Sequence, residues 1–466
     1  MANKVTSVQS LEVLQTNRFE PRYFYNRHLL TDTFVRFGFS VITEISNSPL
    51  SGSTPEHFDE RQKASDAYFI KSADVKRYNL NKTTISYVTE TVHKKRRTKY
   101  VYPQDILVSN TGKYLGFACI IPNNIPESTT NQNISTLRLF DNDKFTPEFV
   151  AAYLNSYFGQ REIESLLTLT GQKYLNSSNF KRLRVPKLNN EQIEVITGLM
   201  QSILEKETTA VGTIEQAQQL FYSSIGIDFK AIAKENTFSV CKSNFADADL
   251  WTPMYSYPLY VNTLKAIQSK WQTVTIGEIA TLKKGDEVGS DTYIGYLDKR
   301  KTDVPFVRTS DIVNYEIDQY PDFFIPKEIY DELGQGFQSG DVLFTKDGKI
   351  GMVGMITDND KAIISSGFVG LSLNKKAQEY GVTPEYLFLT LSIKEIGIYA
   401  SKRRTVVAST IPHLREERLK EIEIPILDGT TITEITDLVK QAFKLKDEKK
   451  RLISEVRETM DGYFEI

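Results

Sequence analysis

Hydrophobic positions along the chain form two patterns: short apolar runs separated by polar turns, and long stretches with a seven-residue repeat. The runs at 68–70 and 106–108 are rich in β-branched and aromatic side chains, and the second is followed by Asn110, Thr111 and Gly112. Short runs of this composition, bounded by turn residues, predict strands joined by turns. The first pattern therefore predicts compact, mainly β units.

The short runs recur in the second half of the chain at nearly one offset. The matched segments are 68–75 with 305–312, 105–113 with 341–349, 146–149 with 383–386, and 183–188 with 422–427. Four matches in the same order at offsets of 236 to 239 positions predict an internal duplication.

Each copy also carries a helix signal. Thr146 and Thr383 are each followed by Pro and Glu, which is the pattern of an N-cap, a first helical position and an acidic first turn. We expect these helices to run to about Leu166 and Ile398. A short strand ending in Pro and then a long helical stretch without internal proline follow in each half.

The long stretches carry heptads whose seams are apolar at both ends and interrupted in the middle. The first seam is Ile193, Ile196, Met200, Ile203, Glu207, Ala210, Ile214, Ala217, Phe221 and Ser224. The second is Ile432, Ile435, Val439, Ala442, Lys446, Lys449, Ile453, Val456, Met460 and Tyr463. Antiparallel packing would place Glu207 opposite Lys449, and Ala210 opposite Lys446, so that charge fixes the register. The alternative is that each helix packs on its own domain and the middle charges reach solvent.

The composition is that of a soluble globular chain of two to four domains, with 466 residues that are 40% hydrophobic and 25% charged. No apolar run approaches the roughly 20 residues that span a bilayer. The residues after Met1 do not resemble a secretory leader. We therefore expect a cytoplasmic protein.

Cysteine and histidine are sparse and lack ligand spacing, which argues against a disulfide framework and a zinc site. They stand at Cys119, Cys241, His28, His57, His93 and His413. DNA methyltransferases that act on base amino groups clamp the flipped base with a Pro-Pro motif, and the chain has no Pro-Pro. It also has no Gly-x-x-x-x-Gly-Lys-Ser/Thr phosphate loop, which argues against ATP-driven work by this chain. Gly112-Lys113 and Gly348-Lys349 are better interpreted as turns that need positive φ than as phosphate grips. One Glu-x-Lys sequence, at 448–450, resembles part of a nuclease carboxylate cluster. It lies inside a predicted helix rather than at a strand end, and we interpret it as a solvated helix face. We therefore expect no catalysis and no metal.

Basic side chains are concentrated in a few segments, although 57 Lys and Arg nearly balance 59 Asp and Glu. Lys and Arg neutralise phosphates, and Asn, Gln and Arg match base edges in the major groove. The predicted DNA-binding residues are Lys94, Lys95, Arg96, Arg97, Lys99, Gln172, Lys173, Asn176, Asn179, Lys181, Lys402, Arg403, Arg404 and Thr405. The alternative is that basic loops only keep the protein soluble.

Three ordered motifs in the second half carry a family resemblance: Phe-Val-Arg-Thr-Ser-Asp-Ile at 306–312, Gly-Asp-Val-Leu-Phe-Thr at 340–345, and Ile-Glu-Ile-Pro at 422–425. With their counterparts in the first half and a long helix after each copy, the chain resembles the specificity subunit of type I restriction-modification systems. The resemblance runs from about Arg18 to Phe464 and is stronger in the second half. A long lead-in before Arg18 leaves open a fused restriction-methylation enzyme or another phage-defence system.

The resemblance implies an α+β fold with a pseudo-two-fold internal repeat. Two tandem, mainly β target-recognition domains are joined by two long helices that form an antiparallel coiled coil. The expected domains are 1–188 and 229–428, followed by spacer helices at 189–228 and 429–466 respectively. At 1.5 Å per residue, the 32 positions 193–224 give a rod of about 48 Å, which is about 14 base pairs of duplex.

The resemblance further implies a non-catalytic subunit that reads a bipartite target in double-stranded DNA. Adenine methyltransferase subunits and a restriction subunit, which is a motor and nuclease, are the expected partners. S-adenosylmethionine, ATP and magnesium are expected on those partners, and no cofactor is expected on this chain. Glu207, Lys446 and Lys449 are expected to set the register of the helix pair. A rival interpretation is a two-lobed coiled-coil scaffold that binds protein partners without reading DNA.

Overall fold

The computed structural model of the protein describes residues 21–47, 49–56, 67–95, 100–141, 144–168, 173–232, 237–239, 250, 252–408 and 411–464. The chain divides into two compact units. The first unit comprises Met1–Thr208 with Lys449–Ile466, and the second comprises Thr209–Glu448. Two long helices, Asn190–Ile225 and Gly429–Phe464, therefore contribute residues to both units. We call them the first and second long helix.

The described part of the first unit contains ten strands. They are β1 Phe39–Val41, β2 Leu50–Ser51, β3 Ala67–Ile70, β4 Ser86–Val88, β5 Tyr100–Val101, β6 Ile106–Ser109, β7 Ala118–Ile120, β8 Ser128–Thr130, β9 Ile134–Leu137 and β10 Arg184–Pro186. Its shorter helices are Pro21–Phe37, Ile42–Ile45, Glu90–Lys94, Pro147–Asn155, Tyr157–Ser165 and Ser177–Phe180, with single 3₁₀ turns at Lys82–Thr84 and Gly112–Tyr114.

Two four-stranded sheets organise the first unit, with strand orders β2-β9-β6-β7 and β4-β3-β8-β5. The first sheet is antiparallel, whereas β3 and β8 of the second run parallel. Ile70 of β3 shares one buried cluster with Leu107 of β6, Cys119 of β7 and Ile134 of β9. The core of this unit therefore lies between the two sheets.

The second unit contains the remaining strands. They are β11 Thr273–Thr275, β12 Ala280–Lys284, β13 Ile294–Gly295, β14 Val304–Val307, β15 Ile312–Val313, β16 Glu316–Ile317, β17 Phe323–Ile325, β18 Val342–Thr345, β19 Val353–Met355, β20 Ile363–Ile364, β21 Phe368–Leu373, β22 Val406–Ala408, β23 Ile411–His413 and β24 Glu423–Pro425. Its shorter helices are Pro258–Lys270, Ile276–Ile279, Lys327–Leu333, Lys375–Glu379, Pro384–Ser392, Tyr399–Arg404 and Glu416–Lys420, with a π-helix at Lys394–Ile398 and 3₁₀ turns at Pro253–Ser256, Ser290–Thr292 and Thr309–Asp311.

The sheets of the second unit have the orders β12-β21-β18-β19 and β13-β17-β14-β20. In the first of these sheets β18 lies between β21 and β19, just as β6 lies between β9 and β7 in the other unit. In the second sheet β14 and β20 run parallel, like β3 and β8. Short antiparallel pairs, β1 with β10 and β11 with β24, lie ahead of the two long helices.

The predicted N-caps are confirmed. The Thr146 hydroxyl accepts a hydrogen bond from the Phe149 amide at 3.1 Å, and the Thr383 hydroxyl accepts one from Tyr386 at the same distance. Each cap hydroxyl also bonds a threonine of a long helix within its own unit, Thr197 at 2.7 Å and Thr436 at 2.8 Å. These side chains therefore join each short helix to a long helix.

The expectation of a single helix after each cap is wrong. The first helix ends at Asn155, and extended Ser156 caps a new helix through the Gly159 amide at 3.1 Å. The second ends at Ser392 and is followed by the π-helix and then by Tyr399–Arg404. A Cβ at Gly159 would lie 1.9 Å from the Tyr153 carbonyl oxygen, and one at Gly397 1.8 Å from that of Leu391. Glycine therefore permits both breaks, because the new helix begins against the end of the old one.

The heptad seams are buried over most of their length. In the second unit, the Ala210, Ile214, Ala217 and Phe221 positions share one cluster with the apolar seam of the second long helix. In the first unit, Phe464 packs edge-on against Phe158 with ring centroids 5.1 Å apart. The last seam positions, Ser224 and Tyr463, are only half-buried.

Charged seam residues are buried as well. Lys449 forms an ion pair with Glu207 within the first unit, and Lys446 lies 3.8 Å from the Glu316 carboxylate within the second. The interpretation of residues 448–450 as a solvated helix face is wrong, because Lys449 and Lys450 are each only 1% exposed. The heptad phase turns Lys446 and Lys449 inward, and a carboxylate compensates the burial of each charge.

Candidate nucleic-acid interface

In the first unit, a turn after β6 is joined to the basic segment that begins at Lys173. The Leu175 amide donates to the Asn110 carbonyl at 2.9 Å, and Thr111 forms a β-bridge with Tyr174. Gly112 has a φ of 72°, which confirms its interpretation as a turn glycine. The segment is therefore positioned by the end of a central strand.

Predicted interface residues beyond this bridge have different environments. Lys173 is exposed and lies 3.9 Å from the Glu164 carboxylate. The Asn176 side chain caps Ser177–Phe180 by accepting from the Asn179 amide at 2.7 Å, and the Asn179 side chain donates to the Leu166 carbonyl at 2.7 Å. Lys181 is exposed. The two lysines thus face solvent, while the two amides hold the local backbone.

The other basic segment of the first unit begins at Lys94, directly after the buried residue His93. His93 is buried, stacks on Tyr100 with ring centroids 4.2 Å apart, and lies 3.1 Å from Glu127. Lys94 is exposed and pairs with Glu90 at 2.6 Å, and this contact raises the pKa of Lys94 and lowers that of Glu90. Lys95 is exposed. The predicted residues Arg96, Arg97, Lys99 and Gln172 lie outside the described residues.

The second unit has a related arrangement at the end of β18. The Leu414 amide donates to the Lys346 carbonyl at 2.8 Å, and the Gly348 amide donates to the Pro412 carbonyl at 3.2 Å. Gly348 has a φ of 70°, as expected for a turn. The segment joined to this turn is β23, which forms a two-stranded hairpin with β22.

An ion cluster lies where the hairpin meets the turn. The Asp347 carboxylate lies 2.7 Å from the Lys346 ammonium through one oxygen and 2.7 Å from the His413 ring through the other. Lys349, at the end of the turn, is exposed. Asp347 is thus held by two basic partners, and the surface at the base of the hairpin is rich in cations.

The basic run that precedes β22 combines an exposed and a buried part. Lys402 is exposed, whereas Arg403 donates to the Tyr255 carbonyl at 2.9 Å and lies over the Tyr255 ring. Arg404 is 6% exposed and donates to the Glu421 carbonyl at 3.0 Å. Burial lowers the pKa of Arg404, and the neighbouring Arg403 charge lowers it further. The Thr405 hydroxyl donates to the Ser401 carbonyl at 2.8 Å.

Sequence reasoning missed the ion cluster and the hairpin. Lys346 and Asp347 are consecutive, but His413 joins them only through strand pairing across 66 positions. A signal for the hairpin was present in Val-Val-Ala at 406–408 and Ile-Pro at 411–412 around two small polar residues. In each unit, a strand end that the prediction did not include is joined to a segment next to some of the predicted residues: the β6 turn to Tyr174 and Leu175, and the β18 turn to β23.

The part of the chain that the structure describes carries neither a metal-binding cluster nor a membrane-spanning helix. No group of three or more His, Cys, Asp or Glu side chains there is placed to hold a metal ion. No helix within the described ranges is both long and apolar enough to cross a bilayer.

Residues 268–456 match the family model described as the type I restriction modification DNA specificity domain. This segment contains the β18 turn, the hairpin and most of the second long helix. Residues 268–456 therefore belong to the type I restriction-modification DNA specificity domain family, and the resemblance seen in the sequence motifs is confirmed there. No curated protein matches the chain.

Solved structures of type I systems align with most of the chain at low identity. The S subunit from M. genitalium is 15% identical, with 92% of this chain and 95% of that chain covered and a TM-score of 0.34. The HsdS subunit from Thermoanaerobacter tengcongensis is 12% identical, with 92% and 96% covered and a TM-score of 0.29. A structure described for complex assembly and conformational transition of the type I R-M system is 13% identical, with 92% and 97% covered and a TM-score of 0.28. The assignment rests on the family match rather than on these alignments.

Proposed function

We propose that this chain is a non-catalytic specificity subunit that reads a bipartite sequence in double-stranded DNA, with one half read by each unit. The observation that carries the proposal is that one sheet of the matched specificity domain, β12-β21-β18-β19, recurs in the first unit with the order β2-β9-β6-β7. Two domains of one architecture and divergent sequence suit two different half-sites. The pseudo-two-fold repeat is part of this proposal.

The exposed cations support DNA as the ligand. Lys173 and Lys181 surround the β6 turn, and Lys349 and Lys402 surround the hairpin base in the second unit. Exposed ammonium groups neutralise phosphates without selecting a sequence. We propose that they position the duplex while other side chains on the same turns read the bases. Arg96, Arg97, Lys99 and Gln172 remain predicted members of the interface.

The two long helices supply the proposed spacer. We propose that they pair as an antiparallel coiled coil whose register is set by Glu207, Lys446 and Lys449. Support comes from the buried seam and from the Glu207–Lys449 ion pair. Adenine methyltransferase subunits and a restriction subunit are the proposed partners. S-adenosylmethionine, ATP and magnesium are proposed to be bound by those partners.

A salt titration tests duplex binding by the chain. Binding of the purified full-length chain to a random-sequence duplex is measured by fluorescence anisotropy from about 50 to about 200 mM salt. Binding through about six to ten phosphates predicts a loss of about 10³- to 10⁵-fold in affinity over this range. Absent or salt-independent binding would contradict the proposal and favour the scaffold interpretation.

A further inference from the structure

The β22–β23 hairpin exposes two large apolar side chains. Val407 is 65% exposed and Ile411 is 50% exposed, although both belong to strands with β-branched sequences. A side chain of this kind is usually covered by a second layer, and none covers these two in the part of the chain that the structure describes. The hairpin therefore offers apolar surface to a ligand.

The strand register places the two side chains on opposite faces. Val407 pairs with Pro412, and Ala408 pairs with Ile411. Since successive residues of a strand point to opposite faces, Ile411 lies on the face opposite to Val407 and Pro412. The hairpin is thus a thin, two-stranded ribbon with an exposed apolar group on each side.

The base of the ribbon is fixed to the body of the second unit. β23 is joined to the β18 turn by the Leu414–Lys346 and Gly348–Pro412 hydrogen bonds. The chain entering β22 is held by the buried Arg404 guanidinium. A ribbon fixed at both ends of its base can present Val407 and Ile411 at defined positions.

The charge around the base indicates a polyanionic ligand. Lys349, Lys402 and Arg415 are exposed close to the hairpin in the chain or through its hydrogen bonds. Asp347 is occupied by Lys346 and His413. Glu416 and Glu417 lie in the first turn of the next helix, where the helix dipole favours them. A wholly apolar protein partner would not need these three exposed cations.

We propose that the β22–β23 hairpin enters the major groove of duplex DNA and that Val407 and Ile411 contact the 5-methyl groups of thymines. The inference rests on the proposed function and deepens it, because it names the side chains that read bases in the second half-site. A two-stranded ribbon fits the width of the major groove, and the thymine methyl is the apolar group displayed there. The lysines and Arg415 contact the flanking phosphates.

Threonine substitutions in the full-length chain test this role. Val407→Thr and Ile411→Thr keep the branch at Cβ and so preserve the strand, while each introduces a hydroxyl. Val35→Thr, at a site in the first unit that is 80% exposed, is the matched control. We expect each hairpin variant to bind the specific duplex at least about fivefold more weakly, because the new hydroxyl would be buried against a thymine methyl group without a hydrogen-bond partner. The salt dependence should not change, since no charge is removed.

Uracil substitution supplies the matching change in the DNA. Replacing thymines of the second half-site by uracil removes only their methyl groups, and it should weaken the wild-type chain while affecting Val407→Thr or Ile411→Thr less. Unchanged specific affinity in both hairpin variants would overturn the inference, as would equal uracil effects on wild type and variants.

Two further outcomes separate the hairpin role from the proposed function. Loss of co-purification with methyltransferase subunits, with DNA affinity intact, would make the hairpin a protein-docking element and overturn the inference. A wild-type chain without salt-dependent duplex binding would overturn the proposed function and the inference together.

Discussion

Among individual residues, the buried ion pair of Glu207 with Lys449 has the clearest energetic consequence. Lys449 is 1% exposed, and Glu207, its ion-pair partner, is 8% exposed. An ion removed from water is tolerated when a partner of opposite sign compensates it, whereas loss of that partner leaves an uncompensated charge. We therefore expect this pair to specify the register of the helices more strongly than it adds net stability.

A double-mutant cycle measures the coupling energy between Glu207 and Lys449. Lys449→Glu places two carboxylates together and should lower the free energy of unfolding by about 3–5 kcal/mol. Adding Glu207→Lys restores opposite charges and should recover part of the loss. Urea unfolding of both single variants and the double variant gives the coupling energy. Lys94→Glu, in the exposed pair with Glu90, is the control and should leave the midpoint unchanged.

Additive losses in the cycle would reject the pairing of Glu207 with Lys449. The heptad phase alone predicted this pair, because it depends only on sequence period and an antiparallel register. The environment of Lys450 was not predictable in the same way. It lies outside the a and d positions, and its burial depends on tertiary packing that a period does not describe.

Arg404 illustrates how a basic residue near an interface can act without touching DNA. Its guanidinium bonds the Glu421 carbonyl and is buried, whereas Lys402 faces solvent. Arg404→Ala should lower the free energy of unfolding by about 1–3 kcal/mol, because buried acceptors lose a charged donor. Lys402→Ala should leave stability unchanged. Thermal unfolding distinguishes the two, and equal stability of both variants would contradict a positioning role for Arg404.

Arginine variants in the two units test which unit reads which half-site. Arg403→Ala and Arg404→Ala should weaken binding to the second half-site alone, and Arg96→Ala and Arg97→Ala to the first alone. Duplexes with one half-site scrambled separate these effects in an anisotropy titration. Equal losses at both half-sites would count against separate reading units.

At the scale of elements, each of the two threonine caps begins a short helix and also bonds that helix to a long helix. Thr383 caps Pro384–Ser392 and also bonds Thr436 of the second long helix, as Thr146 and Thr197 do in the first unit. The cap was predictable from Thr-Pro-Glu, because the pattern is local. The bond to a distant threonine was not, since it depends on how two helices pack.

Removal of the Thr383 hydroxyl should therefore weaken the second unit. Thr383→Ala should lower the free energy of unfolding by about 1–2 kcal/mol, which is the upper range for a lost N-cap. Thr383→Ser keeps the hydroxyl and should retain most of that stability. Urea unfolding compares the two, and an equal loss in both variants would show that the methyl group, not the hydroxyl, matters.

The helix breaks and the hairpin are among the elements that sequence reasoning did not predict. Gly159 and Gly397 are single glycines in otherwise helical patterns, and only the close approach of a preceding carbonyl reveals why glycine stands there. The strands of the β22–β23 hairpin had a sequence signal, but the exposure of Val407 and Ile411 was not predictable, because a hydrophobic pattern is normally a sign of burial.

At the scale of the whole molecule, the ordered motifs predicted more than any single residue did. Three of the four repeated pairs fall on corresponding strands, β3 with β14, β6 with β18 and β10 with β24, and the fourth falls on the two capped helix starts. Motif order survives divergence because it follows the topology of the sheet. The bases that each unit reads were not predictable from the sequence, because base contacts depend on the three-dimensional arrangement of side chains.

Mapping of methylated adenines tests the central claim most directly. The full-length chain is co-expressed with its candidate adenine methyltransferase subunits, and the methylated positions in the host genome are aligned. The account predicts a motif of two specified parts separated by a fixed, unspecified gap, with Arg403→Ala and Arg404→Ala relaxing one part only. A single continuous motif, or methylation that does not depend on this chain, would contradict it.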